Sequence, residues 1–420
     1  MRWLEFHFPD ADLASQCTCI FTGFVYLGIV LAYFTNYGCQ VNMGDNVMAR
    51  WAVPTSLHLM FAGLIFLLTF SQCESPRYLI MKGKADKALE TMARIRKLPS
   101  SHPYVVSEID RAVSTHREEK EASKTSSSGW LGILREAFLV PSNLYRVSLT
   151  IGAQILSQWS GAGSITLYAP DLFALLGVAD TNESLLVTAV FGIVKLVAAL
   201  ICALFLVDVV GRKRALLLGI ACQAVAMVYV AGFLTAVPQL GDSESVKANP
   251  LSKSQLAASR GAIAMIYLSG FGWALGWNSM QYLLTAELFP LRIRAFCTSL
   301  AMTFHFANQY GNSRAVPNML LSVSDGGLSP QGTFWFFAAV TVLGGLWVWF
   351  FMPETAGRGL ESMDRLFALE WWRIGRYGNA EAEKGEGSES EGQDEGESGR
   401  EKGVQSESTV VRQKEGDGGV

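Results

Sequence analysis

Lys195 is the residue whose position asks most of its surroundings. It stands in the middle of an apolar run, 185–207, long enough to cross a bilayer core at about 1.5 Å per helical residue. The ammonium then lies about 15 Å from either end of the span, too far to snorkel to a headgroup. A cation at that depth costs about 2.5–3.5 kcal/mol on insertion scales, so it is matched by a partner or a water-filled cavity. On a helical wheel Thr188, Gly192, Lys195, Ala199 and Cys202 share one side, small or polar throughout. Leu186, Val190, Ile193, Val197, Leu200 and Leu204 lie opposite, all large and aliphatic. An aliphatic back and a small polar front with one cation is the pattern of a helix lining a pathway. The plainer alternative, a carboxylate partner on a neighbouring helix, stays open.

The rest of the chain must hold that helix in a membrane. Hydrophobic residues make up 50% of the 420 positions and charged ones 17%, which argues against a soluble globule. The formal net charge of −3 hides an acidic C-terminal stretch that offsets a basic remainder. Hydropathy marks eight candidate spans, near 18–38, 52–72, 147–177, 185–207, 214–236, 260–284, 296–321 and 331–352. The third is long and is expected to break around Gly161 and Gly163, with Pro170 near its end. Between the second and third spans, a polar basic stretch carries helical patterns at Lys84–Arg96 and Ser107–Lys124. Residues 380–420 are Gly, Ser and Glu without apolar periodicity, the composition of a disordered acidic tail. Besides Arg2 before the first span, Lys and Arg concentrate in the central loop, at Arg212–Arg214, at Arg292–Arg294 and after the last span. The positive-inside rule then puts both termini and the central loop in the cytosol.

No N-terminal signal peptide is recognisable, and the seven cysteines show neither metal-ligand nor redox spacing. Phosphate-cradling loops, metal clusters and Ser/His/Asp sets are likewise missing, so the reading includes no enzyme, cofactor, metal or nucleic-acid partner.

Short motifs at the helix ends repeat. Cys73-Glu-Ser-Pro-Arg77 follows the second span and Pro353-Glu-Thr-Ala-Gly-Arg358 follows the eighth. Each puts a glutamate, a hydroxyl residue and an arginine at the same kind of helix end, as in transporters built from internal repeats. Six spans separate the two motifs but only two precede the first, so equivalent halves would leave four helices unaccounted for on the N-terminal side.

Together with Gln158-Trp-Ser-Gly161, Tyr168-Ala-Pro170, Asp208-Val-Val-Gly-Arg-Lys213 and Ala286-Glu-Leu-Phe-Pro-Leu-Arg-Ile-Arg294, these motifs resemble the sugar porter branch of the major facilitator superfamily. The resemblance runs from about Ile20 to Arg376, and within the branch it is greatest to fungal quinate permeases, through Gln158-Trp-Ser-Gly161, Lys195 and Leu31–Gly38. It implies an all-α polytopic membrane fold, with the complete C-terminal six-helix half and two helices of the N-terminal half. The domains expected are 1–72, the two-helix N-terminal remnant; 73–141, a cytosolic linker with short helices; 142–352, the six-helix half; 353–379, a cytosolic helix end; and the tail.

The same resemblance implies the site. Gln158 matches the second of two adjacent family glutamines, while Ser157 and Gly163 stand where other sugar-contacting amides are usual, which puts ordinary hexose recognition in doubt. Tyr282 stands where many relatives have Trp, and His305 and Gln309 fall at positions that are polar in relatives. Tyr168 is a further substrate-binding candidate, and Lys195 is suited to a carboxylate. For Gln158 an interhelical hydrogen bond, and for Tyr282 and His305 a core role, stay open. Ser279-Met-Gln281 replaces the family's Pro-x-Pro, which weakens the expected helix break there. Asp208, Arg212, Glu287, Arg292, Glu354 and Arg358 are expected to form a cytoplasmic gate, with Glu74 and Arg77 as its mirror set.

The function implied is transport of a small polyhydroxylated substrate, quinate-like first and monosaccharide second, by alternating access. The coupling ion is a proton, by resemblance alone. A monomer in the plasma membrane, in contact with lipids, is the family default. Two other readings are an inactive truncated fragment or faulty gene model, and a nutrient receptor that binds without transporting.

Overall fold

The computed structural model describes residues 10–43, 47–125, 129–178, 180–202, 210–241, 252–355 and 360–375. Every regular element among them is helical. The acidic tail 380–420, Leu204 and the gate candidates Asp208 and Arg358 lie outside the described residues.

Helices α1 (Asp10–Asn42) and α2 (Val47–Thr69) come first. Three short helices, α3 (Pro76–Met81), α4 (Ala85–Arg96) and α5 (Pro103–Thr125), then pack around Leu79, Ile80, Ala88 and Ile109. Arg96 closes this small bundle with a two-pronged contact to Glu108, at 2.8 and 3.2 Å. Helix α6 (Gly129–Leu139) leads into the main body. That body contains α7 (Pro141–Trp159), α8 (Ala162–Leu167), α9 (Ala169–Leu175), α10 (Thr181–Ile201) and α11 (Arg212–Ala236). It continues with α12 (Lys253–Trp273), α13 (Ser279–Glu287), α14 (Leu291–Met319) and α15 (Ser329–Phe351). Two short helices, α16 (Leu360–Phe367) and α17 (Trp371–Ile374), fold back against its charged end.

Among the described residues, five segments are long and apolar enough to cross a membrane: Phe21–Asn42, Val47–Thr69, Thr181–Ile201, Arg212–Ala236 and Ser329–Phe351. The other three expected spans correspond to α7–α9, α12–α13 and α14. They fall short because they are broken or carry polar residues inward, which is what a cavity wall needs. The third span breaks where the sequence placed the break. Gly161 has φ +86°, a left-handed conformation, and a Cβ there would run into the Phe337 ring. The sixth span differs from expectation. Although the usual prolines are replaced, the helix is still interrupted, by a π-helical turn at Ala274–Asn278. There α11 and α12 touch backbone to backbone, since a Cβ on Gly219 would clash with the Gly272 carbonyl and Gly276. Wider turns of this kind recur at functional sites.

Among the described residues, the core of the main body has two large lobes and a smaller one around Ala137, Val147, Phe289, Ile293 and Cys297. One large lobe surrounds Leu149, Cys202, Leu216, Trp277 and Val348. The other surrounds Phe173, Phe191, Met227, Phe233 and Phe334. The wheel of α10 is realised residue by residue: Thr188, Gly192, Lys195, Ala199 and Cys202 are buried, while Leu186, Val190, Ile193, Val197 and Leu200 are exposed. The buried stripe meets α1, and Gly192 permits the approach, its would-be Cβ standing 3.0 Å from Tyr33 Cδ2. Helix α2 leans on α1 with none of its residues buried.

Candidate functional site

A cavity of about 970 Å³ opens between α1 and the walls made by α7–α8, α10, α12–α13 and α14. Of the residues expected at the site, Gln158, Lys195, Tyr282, His305 and Gln309 line it. Tyr168 does not. Its hydroxyl donates to the Ser313 carbonyl at 2.9 Å, tying α8–α9 to α14 instead. The break at Gly161 re-aims the chain so that Thr166, not Tyr168, faces the cavity.

Lys195 is 2% exposed. Its Nζ donates to Thr166 Oγ1 at 2.6 Å and sits 5.0 Å from the Tyr26 ring centroid and 5.3 Å from that of Phe191. Among the described residues it has no carboxylate partner. The alternative left open by the sequence, a neighbouring acid, is therefore not what this structure holds. Rings and a hydroxyl stabilise a cation without neutralising it.

The second polar group gathers around His305. Its Nδ1 lies 2.9 Å from Gln154 Oε1 and 3.2 Å from Gln158 Nε2, and its Nε2 lies 3.4 Å from the Tyr282 hydroxyl. Nδ1 carries one proton or one lone pair in the ring plane, so it serves only one of the two amides at a time. Gln154 Nε2 also has no partner among the described residues. Ser164 Oγ, Asn278 Nδ2 and Asn312 Oδ1, in residues that line the cavity, are buried without one too. Buried polar atoms left unpaired cost about 1–3 kcal/mol each, so a cluster around one cavity suits a ligand bearing several hydroxyls. Gln309 lines the cavity from an exposed position on α14.

The sequence reading missed Tyr26, Tyr33, Gln154, Thr166, Gln281 and Asn312. Some signal was there: Gln154 and Gln158 are one helical turn apart, and Tyr26 and Tyr33 two turns apart. Ser157, which stands in for an amide, donates to Gln281 Oε1 at 2.9 Å and so recruits an amide from α13 to the same wall.

At the charged end of the bundle, Arg212 Nη2 pairs with Glu287 Oε1 at 2.8 Å and its Nη1 donates to the Thr355 carbonyl at 2.9 Å. Glu354 accepts backbone N–H groups of Arg212 at 2.8 Å and Lys213 at 3.1 Å, capping the start of α11. Gly211 makes room, with φ +89° and a would-be Cβ 2.8 Å from Glu354 Oε2. Burial pushes the Glu287 carboxyl up to about 7, against the pull of Arg212. Arg292 pairs not with this group but with Glu136 on α6, at 3.0 Å, a partner the sequence reading did not name. Glu74 and Arg77 are exposed and have no ion-pair partner among the described residues.

A helical bundle with apolar spans and a polar, cation-bearing cavity between broken helices has the architecture of a polytopic membrane protein. The chain matches the family of sugar (and other) transporters over residues 10–367, and it belongs to that family. It is 30% identical over 341 residues to the quinate permease of Emericella nidulans, covering 81% of this chain and 61% of the relative. It is 29% identical over 346 residues to the quinate permease of Neurospora africana, covering 82% and 61%. The chain thus spans about 61% of the length of these curated relatives. Among solved structures, the proton:xylose symporter XylE bound to 6-bromo-6-deoxy-D-glucose superposes with a TM-score of 0.64 at 20% identity, covering 85% of this chain and 68% of the other. The partially occluded inward-open form of XylE from E. coli gives 0.61 at 18%, covering 84% and 66%. These superpositions show that the chain shares the helical fold of those structures. The relatives are permeases and transporters, not enzymes.

Proposed function

We propose that this chain forms the substrate-binding part of a transporter for a small polyhydroxylated acid, quinate-like, with neutral monosaccharides as poorer substrates. The observation that carries this reading is a buried amine in the cavity wall, held by a hydroxyl and two rings and lacking a carboxylate among the described residues. A substrate carboxylate supplies the missing counter-charge through charge-assisted hydrogen bonds. Gln158, His305 and Tyr282, with Gln309 at the rim, present donors and acceptors to ring hydroxyls. Ser157 and Gly163 replace amides used for hexoses, which disfavours a neutral sugar.

Transport proceeds by alternating access, and the Arg212–Glu287–Glu354 cluster acts as the latch of the cytoplasmic end. Making and breaking such pairs keeps two states within a few kcal/mol of each other. Proton symport, a monomeric state, the plasma membrane and cytosolic termini complete the proposal, together with the assignment of α1 and α2 to an N-terminal half. XylE, a proton:xylose symporter of the same fold, supports the coupling ion. With surface expression held equal, quinate uptake should fall about tenfold or more in Lys195→Ala, the value of a lost charge-assisted hydrogen bond, and also fall in Gln158→Ala. Undiminished uptake in Lys195→Ala would sink the anion site.

A further inference from the structure

Thr166 sits on α8, the six-residue helix that follows the break at Gly161. Its hydroxyl proton is committed to the Ala162 carbonyl at 2.8 Å, one turn back. The oxygen that faces Lys195 can therefore only accept, and it takes one of the three ammonium hydrogens at 2.6 Å. The same residue is held from another helix. Tyr33 on α1 donates its hydroxyl to the Thr166 carbonyl at 2.5 Å. Three elements thus meet at one threonine: α1 through its carbonyl, α8 through its own turn, and α10 through its hydroxyl.

The stem of the lysine is fixed independently. Phe191 lies one turn before Lys195 on α10 and packs on α12 where Gly270 leaves space. A Cβ at Gly270 would strike the Phe191 ring and come within 3.1 Å of Lys195 Cγ. Tyr26 covers the ammonium from α1. With the stem packed, two rings on the charge and one hydrogen bond to Thr166, the remaining ammonium hydrogens have the cavity as their outlet.

We infer that Thr166 is a specificity-determining positioning residue: as a neutral acceptor it aims the Lys195 ammonium into the cavity without neutralising it, so that the site selects a carboxylate-bearing substrate over its uncharged analogue. An aspartate at this position would cancel the charge, and an aliphatic residue would leave it unaimed. Through the Tyr33 contact, aiming also depends on α1 being docked against α8. The inference rests on the carboxylate reading proposed above.

The test is equilibrium binding to the purified chain in lipid nanodiscs, with quinate and methyl quinate as probes. The two differ in the charge of one group and keep the ring hydroxyls. The unsubstituted protein prefers quinate. Thr166→Val, close in shape, lowers that preference about tenfold, the value of one hydrogen bond to a charged group, while methyl quinate affinity holds. Thr166→Ser restores the preference. Tyr33→Phe, which removes only the hydroxyl on the Thr166 carbonyl, shifts the ratio the same way by less. If Thr166→Val keeps the original ratio, or if it weakens both probes in parallel, the positioning role is wrong. If the unsubstituted protein itself shows no preference between the probes, the carboxylate reading falls first. The three failures are distinguishable.

Discussion

Two buried cations, at two levels of one bundle, have been given opposite surroundings. The Arg212 side chain is 8% exposed and meets Glu287, with Glu354 on its backbone and the Thr355 carbonyl on its other prong. Lys195 is 2% exposed and meets a hydroxyl and two aromatic rings. Arginine's planar fork suits the first setting, since it satisfies a carboxylate and a carbonyl at once. Lysine's compact charge on a flexible stem suits the second, where one contact aims it and the rest stay available. A cation whose counter-charge is built into the fold holds the structure together. A cation without one asks for its counter-charge from elsewhere.

That contrast is sharpest when each charge is removed. Arg212→Met strands Glu287 and should destabilise the protein by about 3 kcal/mol, seen as a lower thermal midpoint in detergent. Lys195→Met removes a charge with no protein counter-ion and should leave the midpoint unchanged or raise it. A fall in both variants would erase the distinction between the two sites.

A smaller effect should come from pH. In the folded protein Glu287 binds its proton up to about 7, compared with 4.5 for an unperturbed glutamate. Between those values the folded state holds more protons than the unfolded one, so this residue's contribution to stability declines as pH rises from 4.5 to about 7. Glu287→Gln should flatten that part of the pH–midpoint curve. An identical slope in the variant would mean that another group sets it.

Much of this could be seen in the sequence, and the limit has a physical cause. The inward face of α10 followed from side-chain size and charge at a period of 3.6, because a helix in a bilayer has only lipid or protein to face. The break at Gly161 followed from local backbone freedom. The π turn at Ala274–Asn278 did not, since it depends on Gly219 of another helix meeting Gly272 and Gly276. Thr166 and Glu136 were invisible for the same reason: what they touch lies on other helices, and no local period announces it. Tyr168 shows the converse error, because its motif is local but the preceding break turned its hydroxyl toward Ser313.

The most direct measurement is the shift in thermal midpoint caused by quinate, in the unsubstituted protein and in Lys195→Met. Quinate should stabilise the unsubstituted protein in proportion to its binding and leave Lys195→Met almost unmoved. An equal shift in both would contradict the claim that this amine receives the substrate's charge.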